Sequence, residues 1–207
     1  MLTVIKHPLI DHKMAILRDK NTGTKDFSIA LEEVAALMVY EITKDLKTKE
    51  VDIETPMGVK CKCNVLDTNV VLEPILRAGL GMVGGIRNLI PTAKVGHLGM
   101  YRNEETLIPK QYYAKFPETV KDAVNFVLDP MLATGGSAIA AIEILKNAGA
   151  KNINLVSIVG VDEGINAILD KYPDVNIYIA AKDDGLNEIS YIVPGLGDAG
   201  DRIFGTK

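Results

Sequence analysis

The stretch that decides the fold is Val127-Leu128-Asp129-Pro130-Met131-Leu132-Ala133-Thr134-Gly135-Gly136-Ser137. It continues the apolar run 123–128, which predicts a buried strand. The residues that follow repeat apolar side chains at i, i+3, i+4 and i+7, namely Ala138, Ala141, Ile142 and Leu145. Because that spacing gives a helix one apolar face, residues 134–137 are predicted to form the N-terminus of a helix that follows a strand.

Such a helix N-terminus is suited to bind one phosphate group. Its unpaired backbone N–H groups and positive dipole end attract an anion, and glycines let the backbone close around it. Asp129 is predicted at the carboxyl end of the strand, where ligands of open α/β sheets bind and where a carboxylate can accept from ribose hydroxyls. No Gly-Lys-Ser/Thr follows, so the loop is not of the Walker type. The alternative is a capped strand–helix turn with incidental glycines.

The chain from Asn69 onward alternates apolar runs with helical stretches. Strands are predicted at 70–76, 94–101, 123–128, 153–159 and 175–181. Helices are predicted at 80–89, 137–147 and 163–171. This alternation is typical of an α/β fold, with a mostly parallel central sheet flanked by helices.

The flanking regions follow other patterns. Helical spacing predicts two N-terminal helices, 8–18 and 24–46, and residues 51–65 read as a β-hairpin arm. Segment 102–118 contains two prolines and no clear period, which is typical of a flexible binding loop or lid. The glycine-rich segment 186–207 is expected to be irregular and held by packing. No linker divides the chain, so 1–207 is predicted to be a single domain.

Composition excludes several classes of protein. The 207 residues carry a net charge of −4 without a Lys/Arg cluster, which argues against a nucleic-acid partner, including a regulatory RNA-binding role. The absence of a signal peptide and of an 18-residue apolar window predicts a soluble, cytoplasmic protein without a membrane partner. Cys61 and Cys63 are predicted on one strand face as reduced thiols. A zinc site would need two further ligands, and the three histidines do not stand at the sequence spacing of known metal sites. His97 is expected to be a structural residue packed in a strand.

One motif points to a different class of enzyme. Residues 79–84 match G-x-G-x-x-G after a strand-like run, and Glu104 stands twenty residues beyond, as in NAD-binding folds. Residues 195–200 match the same pattern with too little chain after them for a helix and a returning strand. A match to this pattern is therefore weak evidence for a dinucleotide-binding fold. Arg77, just ahead of the first glycine, is better suited to bind a terminal phosphate than a dinucleotide. An NAD-dependent dehydrogenase is the alternative.

Four ordered motifs resemble those of the uracil phosphoribosyltransferase family along essentially the whole chain. They are residues 75–79, residues 95–97 leading to 101–102, residues 129–137 and residues 191–201. The last motif is absent from other phosphoribosyltransferases. The chain departs from the family at Asn103, where Asp is common, and at residues 160–164, where the family has Ala-Ala-Pro-Glu-Gly, which leaves loop details and regulation open.

The resemblance implies a type I-like phosphoribosyltransferase domain with a C-terminal hood. It implies the conversion of uracil and 5-phospho-α-D-ribose 1-diphosphate (PRPP) to UMP and diphosphate, in pyrimidine salvage. Mg²⁺ is expected mainly on PRPP, with no metal site of the protein's own. GTP is a candidate activator, as in some relatives, and a homodimer or homotetramer is expected, with the hairpin arm as a contact.

The resemblance also assigns the site. The PRPP-binding residues are Arg77, Arg102, Asp129, Pro130, Met131, Leu132, Ala133, Thr134, Gly135, Gly136, Ser137 and Asp198. The uracil-binding residues are Ile192, Gly197, Asp198 and Ala199, within segment 186–207. Arg77, Arg102 and Asp198 are the expected catalytic residues, and loop 102–118 would close over the diphosphate. The alternatives are surface ion pairs for the arginines and a turn aspartate for Asp198.

Overall fold

The computed structural model describes residues 1–102 and 109–206, and the side chains of residues 101, 102 and 109 are left undescribed. The helices of the described residues are α1 (Pro8–Arg18), α2 (Thr24–Ile42), α3 (Leu80–Leu89), α4 (Gly136–Asn147), α5 (Asp162–Lys171) and α6 (Ala199–Phe204). The strands are β1 (Leu2–Val4), β2 (Thr48–Glu54), β3 (Lys60–Leu66), β4 (Val70–Leu76), β5 (Lys94–Val95), β6 (His97–Arg102), β7 (Pro109–Lys115), β8 (Val124–Leu128), β9 (Met131–Leu132), β10 (Asn152–Gly160), β11 (Asn176–Lys182), β12 (Gly185–Leu186) and β13 (Ile192–Val193).

The central sheet has the order β1-β11-β10-β8-β4-β6-β7, with β5 on β4 and β9 on β10. Its pairs are parallel except for β6 with β7. Strands β4, β8 and β10 are buried on both faces, as their continuous apolar runs predict. The predicted α/β fold with a mostly parallel sheet is confirmed.

Two apolar cores cover the two faces of the sheet. Helices α1, α2, α3 and α6 pack on one face, where Phe27 and Leu31 are fully buried. Helices α4 and α5 pack on the other, around Ile142 and Leu145. Because the parallel strands all end on the same side, these layers leave the carboxyl edge of the sheet open to a ligand.

Several predicted boundaries need correction. The second helix ends at Ile42 instead of Leu46, because the chain passes into turns in which the Lys44 N–H donates to the Glu41 carbonyl and the Leu46 N–H to the Thr43 carbonyl. The strand predicted at 94–101 is interrupted at Gly96. Strand β1, which sequence patterns did not indicate, pairs with β11.

The two segments expected to be irregular are partly regular. Within 102–118, β7 pairs antiparallel with β6, and a 3₁₀-helix begins at Glu118. Cross-strand pairing stabilises β7 despite its lack of alternation, and Pro109 lies at its first position. Residues 103–108, which include Asn103 and Glu104, lie outside the described residues. Within 186–207, β13 pairs with β12 and α6 forms a short C-terminal helix.

The hairpin arm is confirmed and is longer than predicted. Strands β2 and β3 pair from Thr48–Leu66 to Glu54–Lys60, and most of their residues are exposed. Cys61 and Cys63 lie half-buried on one face, as expected, with 3.9 Å between their Sγ atoms. Across residues 1–102 and 109–206, helices are too short or too polar to cross a membrane.

Candidate active site

The loop that decides the fold lies at the carboxyl edge of the sheet. Strand β8 ends at Leu128, Met131 and Leu132 then pair with β10, and α4 begins at Gly136. Gly135 precedes the helix with φ +81°, a conformation that side chains rarely adopt, and a Cβ there would lie 3.0 Å from the Gly164 carbonyl oxygen. The predicted strand–loop–helix arrangement is confirmed, and it leaves the first N–H groups of α4 facing this edge.

Asp129 has an unusual carboxyl group. Its Oδ1 accepts from the Met131 N–H at 3.3 Å, and burial raises the pKa of the carboxyl from 3.8 to about 6. The backbone hydrogen bond opposes this shift but does not cancel it. Near pH 7 the group is therefore mainly a carboxylate, held in surroundings where a hydroxyl donor would be strongly bound.

A cavity of about 240 Å³ opens beside Asp129. Its lining comes from the end of β4, the Asp129 loop and the C-terminal segment: Ala78, Asp129, Met131, Ala133, Ser190, Tyr191, Ile192, Gly197, Asp198, Ala199 and Gly200. The structure thus brings part of the predicted PRPP-binding set together with all four predicted uracil-binding residues. Sequence reasoning missed Ala78, Ser190, Tyr191 and Gly200 as lining residues, although Tyr191 and Gly200 lie within the motif 191–201.

Other predicted PRPP-binding residues lie outside the described lining. Thr134 is exposed on the loop, and Gly135, Gly136 and Ser137 form the turn into α4. Pro130 and Leu132 are buried, and the Leu132 side chain belongs to the core beneath α4 and α5. A ligand at this loop would therefore meet Pro130 and Leu132 only through their backbone.

Arg77 follows β4 and is half exposed, with 54% of its side-chain surface accessible. Its Nη2 donates to Asp201 Oδ1 at 3.2 Å, and its guanidinium lies 5.8 Å from the centre of the Phe204 ring. The Leu76–Arg77 peptide bond is cis. The surface ion pair considered from the sequence is thus present, and its partner belongs to α6. The backbone of Arg102 ends β6, and its side chain lies outside the described residues.

Asp198 is the N-cap of α6. Its Oδ1 accepts from the Asp201 N–H at 2.9 Å, and the residue is exposed at the cavity. The turn role considered from the sequence is therefore present. A side chain that caps a helix keeps acceptor capacity on its second oxygen, so the same carboxylate can also face a ligand.

Two of the three glycines of the dinucleotide-like motif pack against helix α2, and the first, Gly79, packs against the backbone of Ile75 and Leu128. A Cβ at Gly81 would lie 2.6 Å from the Leu31 Cδ2, and one at Gly84 would lie 2.4 Å from the Glu32 Oε1. Both contacts are with α2. The motif therefore permits the close approach of α3 to α2, which accounts for it without a dinucleotide.

Two arginines and an aspartate near the C-terminal segment were missed from the sequence. Arg18 pairs with Asp183, which raises the pKa of the Arg18 guanidinium through their hydrogen bond. Arg202 donates to the carbonyls of Leu17, Asp19, Thr22 and Leu196 and lies 4.2 Å from the centre of the Phe27 ring. Spacing patterns carried no signal for these contacts, because the partners lie up to 185 positions apart.

Sequence comparison identifies relatives along the whole chain. A family model for uracil phosphoribosyltransferase matches residues 4–206. Uracil phosphoribosyltransferases from Acholeplasma laidlawii and Clostridium botulinum are each 59% identical to the chain, and each alignment covers 100% of the chain and 99% of the relative.

Comparison with solved structures gives the same fold. The AQ2163 protein from Aquifex aeolicus has a TM-score of 0.94 at 38% identity, with 100% of this chain and 99% of that chain covered. An adenine phosphoribosyltransferase from Trypanosoma brucei, solved with AMP, pyrophosphate and ribose-5-phosphate, has a TM-score of 0.60 at 12% identity and covers 91% of this chain and 87% of its own. The expected phosphoribosyltransferase fold is therefore confirmed. Since the motifs, the sheet-edge cavity and the full-length matches agree, the chain belongs to the uracil phosphoribosyltransferase family.

Proposed function

We propose that the cavity beside Asp129 is where this enzyme transfers a phosphoribosyl group from PRPP to uracil, giving UMP and diphosphate. The reaction is that of the family, and the observation that supports its location is the single cavity shared by the Asp129 loop and the segment from Ser190 to Gly200. Two substrates must meet for this reaction, and two differently built walls face each other here.

The phosphoribosyl group belongs on the loop side. The 5′-phosphate would lie against the N–H groups that begin α4, where an anion gains from the helix dipole. Asp129, mainly ionised near pH 7, would accept from the ribose hydroxyls. These contacts fix the sugar with C1 facing the opposite wall.

The reaction forms a bond from uracil N1 to the sugar C1 and breaks the bond from C1 to the diphosphate oxygen. The proton of N1 passes to the departing diphosphate or to water. Negative charge grows on the departing diphosphate, so groups that bind this charge accelerate the step. Arg77 is placed to do so if it leaves Asp201, and the resemblance assigns Arg102 the same role. Loop 102–118, in this proposal, excludes water that would hydrolyse PRPP.

Mg²⁺ would enter mainly on PRPP. Residues 1–102 and 109–206 contain no group of three or more His, Cys, Asp or Glu side chains that could hold a metal ion. Mg²⁺ commonly keeps waters and binds substrate phosphates with one or two carboxylates, which suits a cavity lined by Asp129 and Asp198. When bound, the ion would neutralise diphosphate charge.

Uracil would bind to the side of the cavity that is formed by the C-terminal segment, residues 190–200. Backbone groups around Ile192 and residues 197–199 would read its N3–H donor and O4 acceptor, and cytosine would present the reverse pattern to them. Buried groups left unpaired support strong discrimination, so cytosine should be rejected. Orotate should be rejected too, because segment 186–201 carries no Lys or Arg. Arg18, Arg77 and Arg202 do reach this segment, but their guanidinium groups bind Asp183, Asp201 and backbone carbonyls.

The test is UMP formation from uracil and PRPP, with Mg²⁺ and then with EDTA. We expect UMP only when both substrates and Mg²⁺ are present, and no product from cytosine or orotate. Adding GTP in a parallel series tests activation. Comparable rates with cytosine or orotate would place base recognition elsewhere, and thermal stabilisation by NADH but not by UMP would favour the dehydrogenase alternative.

We also propose that the arm from Thr48 to Leu66 joins copies of the chain in a homodimer or homotetramer. It exposes apolar side chains near its tip, with Met57 85% and Val59 61% accessible. Exposed apolar surface of this kind favours a protein contact. Light scattering of the wild type and of Met57→Glu tests this assembly.

A further inference from the structure

The C-terminal wall of the cavity runs from the short strand β13 through a turn to the start of α6, and side chains from other parts of the fold bind the backbone of that turn. Ile192 is buried and lines the cavity, and the chain then turns back through Gly195. Gly195 has φ +64°, and a Cβ there would lie 2.1 Å from the Ile192 carbonyl oxygen. Such a turn gains little from regular secondary structure, so its geometry depends on side chains that bind its backbone.

Arg18 and Asp183 bind both backbone groups of Gly195. Asp183 Oδ2 accepts from the Gly195 N–H at 2.8 Å, and Arg18 Nη1 donates to the Gly195 carbonyl at 2.8 Å. The two side chains also pair with each other, with Arg18 Nη1 at 2.8 Å from Asp183 Oδ2 and Nη2 bound to Oδ1. One fork-shaped ion pair thus fixes the N–H and the C=O of the same residue.

The pair is shielded from water. Only 3% of the Asp183 side chain and 27% of the Arg18 side chain are accessible. By contrast, Asp174 pairs with Lys146 while 57% of its side chain is accessible. A shielded, bidentate pair holds its geometry better than an exposed one, because water competes less for its hydrogen bonds.

The turn at Gly195, which Arg18 and Asp183 bind, leads directly into residues 197–199 of the proposed base-binding wall. Leu196 follows Gly195 and is anchored in the core with 2% exposure, while Gly197, Asp198 and Ala199 line the cavity. Neither Arg18 nor Asp183 is among the described lining residues, so neither is placed to touch a substrate. Their influence on the reaction would pass through the backbone of residues 192–199.

We infer that Arg18 and Asp183 are positioning residues that set the backbone groups reading the base, and so determine uracil affinity and the choice of uracil over cytosine. The inference rests on the proposed function, because it assumes that uracil binds at this wall. In this proposal PRPP binds mainly on the Asp129 loop across the cavity, which the pair does not touch. Asp198 is the one predicted PRPP-binding residue in the segment that the pair holds, so PRPP use should depend on the pair much less than uracil use does.

The test compares Asp183→Asn and Arg18→Lys with the wild type in steady-state kinetics. Asparagine can still accept from Gly195 but loses the charged pair, and lysine keeps the charge but cannot bind both partners at once. We expect the KM for uracil to rise about tenfold in both variants and the preference for uracil over cytosine to fall, while kcat and the KM for PRPP stay within twofold. The matched control is Asp174→Asn, which should behave as the wild type.

A readout without activity completes the test. Amide hydrogen exchange at residues 195–199 should quicken about tenfold in Asp183→Asn and remain unchanged in Asp174→Asn. An unchanged KM for uracil, or equal rises in the KM for both substrates, would overturn the inference, and so would the failure of both variants to fold, since the pair would then serve stability. A wild type that makes no UMP would instead refute the proposed function.

Discussion

The two walls of the cavity are built by opposite means. The wall proposed to bind the phosphoribosyl group is the junction of β8 with α4, and its geometry follows from a buried strand, a glycine turn and a helix N-terminus that are neighbours in sequence. The proposed base-binding wall consists of the short strand β13, a turn and the start of α6, and hydrogen bonds from Arg18 and Arg202 fix the backbone of that turn. A chain can thus place one substrate with regular structure and the other with long-range hydrogen bonds.

The largest effect should come from removing the arginine that anchors the base-binding wall. Arg202→Met keeps much of the apolar contact with Phe27 but leaves four backbone carbonyls without their donor. We expect the free energy of unfolding to fall by about 2–4 kcal/mol, because the carbonyls of the buried residues Leu17 and Leu196 lose a charged partner. Urea unfolding measures this, with Arg87→Met, the same change at an exposed position, as the control at below about 1 kcal/mol. Equal losses in both variants would show that the segment does not depend on this anchor.

The next effect concerns the phosphoribosyl wall alone. Asp129→Asn should lower kcat/KM for PRPP about 30-fold, because charge-assisted bonds to ribose hydroxyls are lost without a change of shape. The KM for uracil should stay within twofold. Asp122→Asn, an exposed change just before the same strand, is the control. A rise in the uracil KM instead would place Asp129 on the base side.

A smaller effect should appear in the pH profile. The pKa of Asp129 is raised to about 6, so the carboxylate becomes protonated as the pH falls below that value. We expect kcat/KM for PRPP to drop by up to tenfold per pH unit on the acid side. PRPP titrates identically with every variant, so the ratio of wild type to Asp129→Asn isolates this group. A ratio that does not change between pH 5 and 8 would rule out a carboxylate role.

The smallest effect tests whether the buried strand β4 contains a polar group without a hydrogen-bond partner among the described residues. Glu73 lies within β4 at 0% exposure, and burial raises its pKa well above 4.5. Within the described part of the chain, neither of its carboxyl oxygens has a hydrogen-bond partner. The folded protein therefore keeps a proton that the unfolded chain releases above pH 4.5, so stability should fall as the pH rises. We expect the free energy of unfolding of Glu73→Val to be higher than that of the wild type by about 1 kcal/mol at pH 8 and by less at pH 5. Urea unfolding that gives the same difference in free energy between Glu73→Val and the wild type at both pH values would contradict this.

The same contrast explains what could be predicted from the sequence. The Asp129 loop was predictable because its strand, turn and helix signals are adjacent, and β4, β8 and β10 because their apolar runs are continuous. Strand β7 was missed because pairing with β6 overrides its weak local pattern. The Arg18–Asp183 pair was missed because nothing in local spacing marks contacts 165 positions apart.

The central claim is that one cavity holds the phosphoribosyl group and the base on these two walls. Amide hydrogen exchange of the wild type with and without UMP tests it most directly, because one ligand carries both groups. We predict added protection in two separate segments, 129–137 and 192–200, and none in the arm from Thr48 to Leu66. Protection in only one of the two segments, or mainly in the arm, would contradict the account.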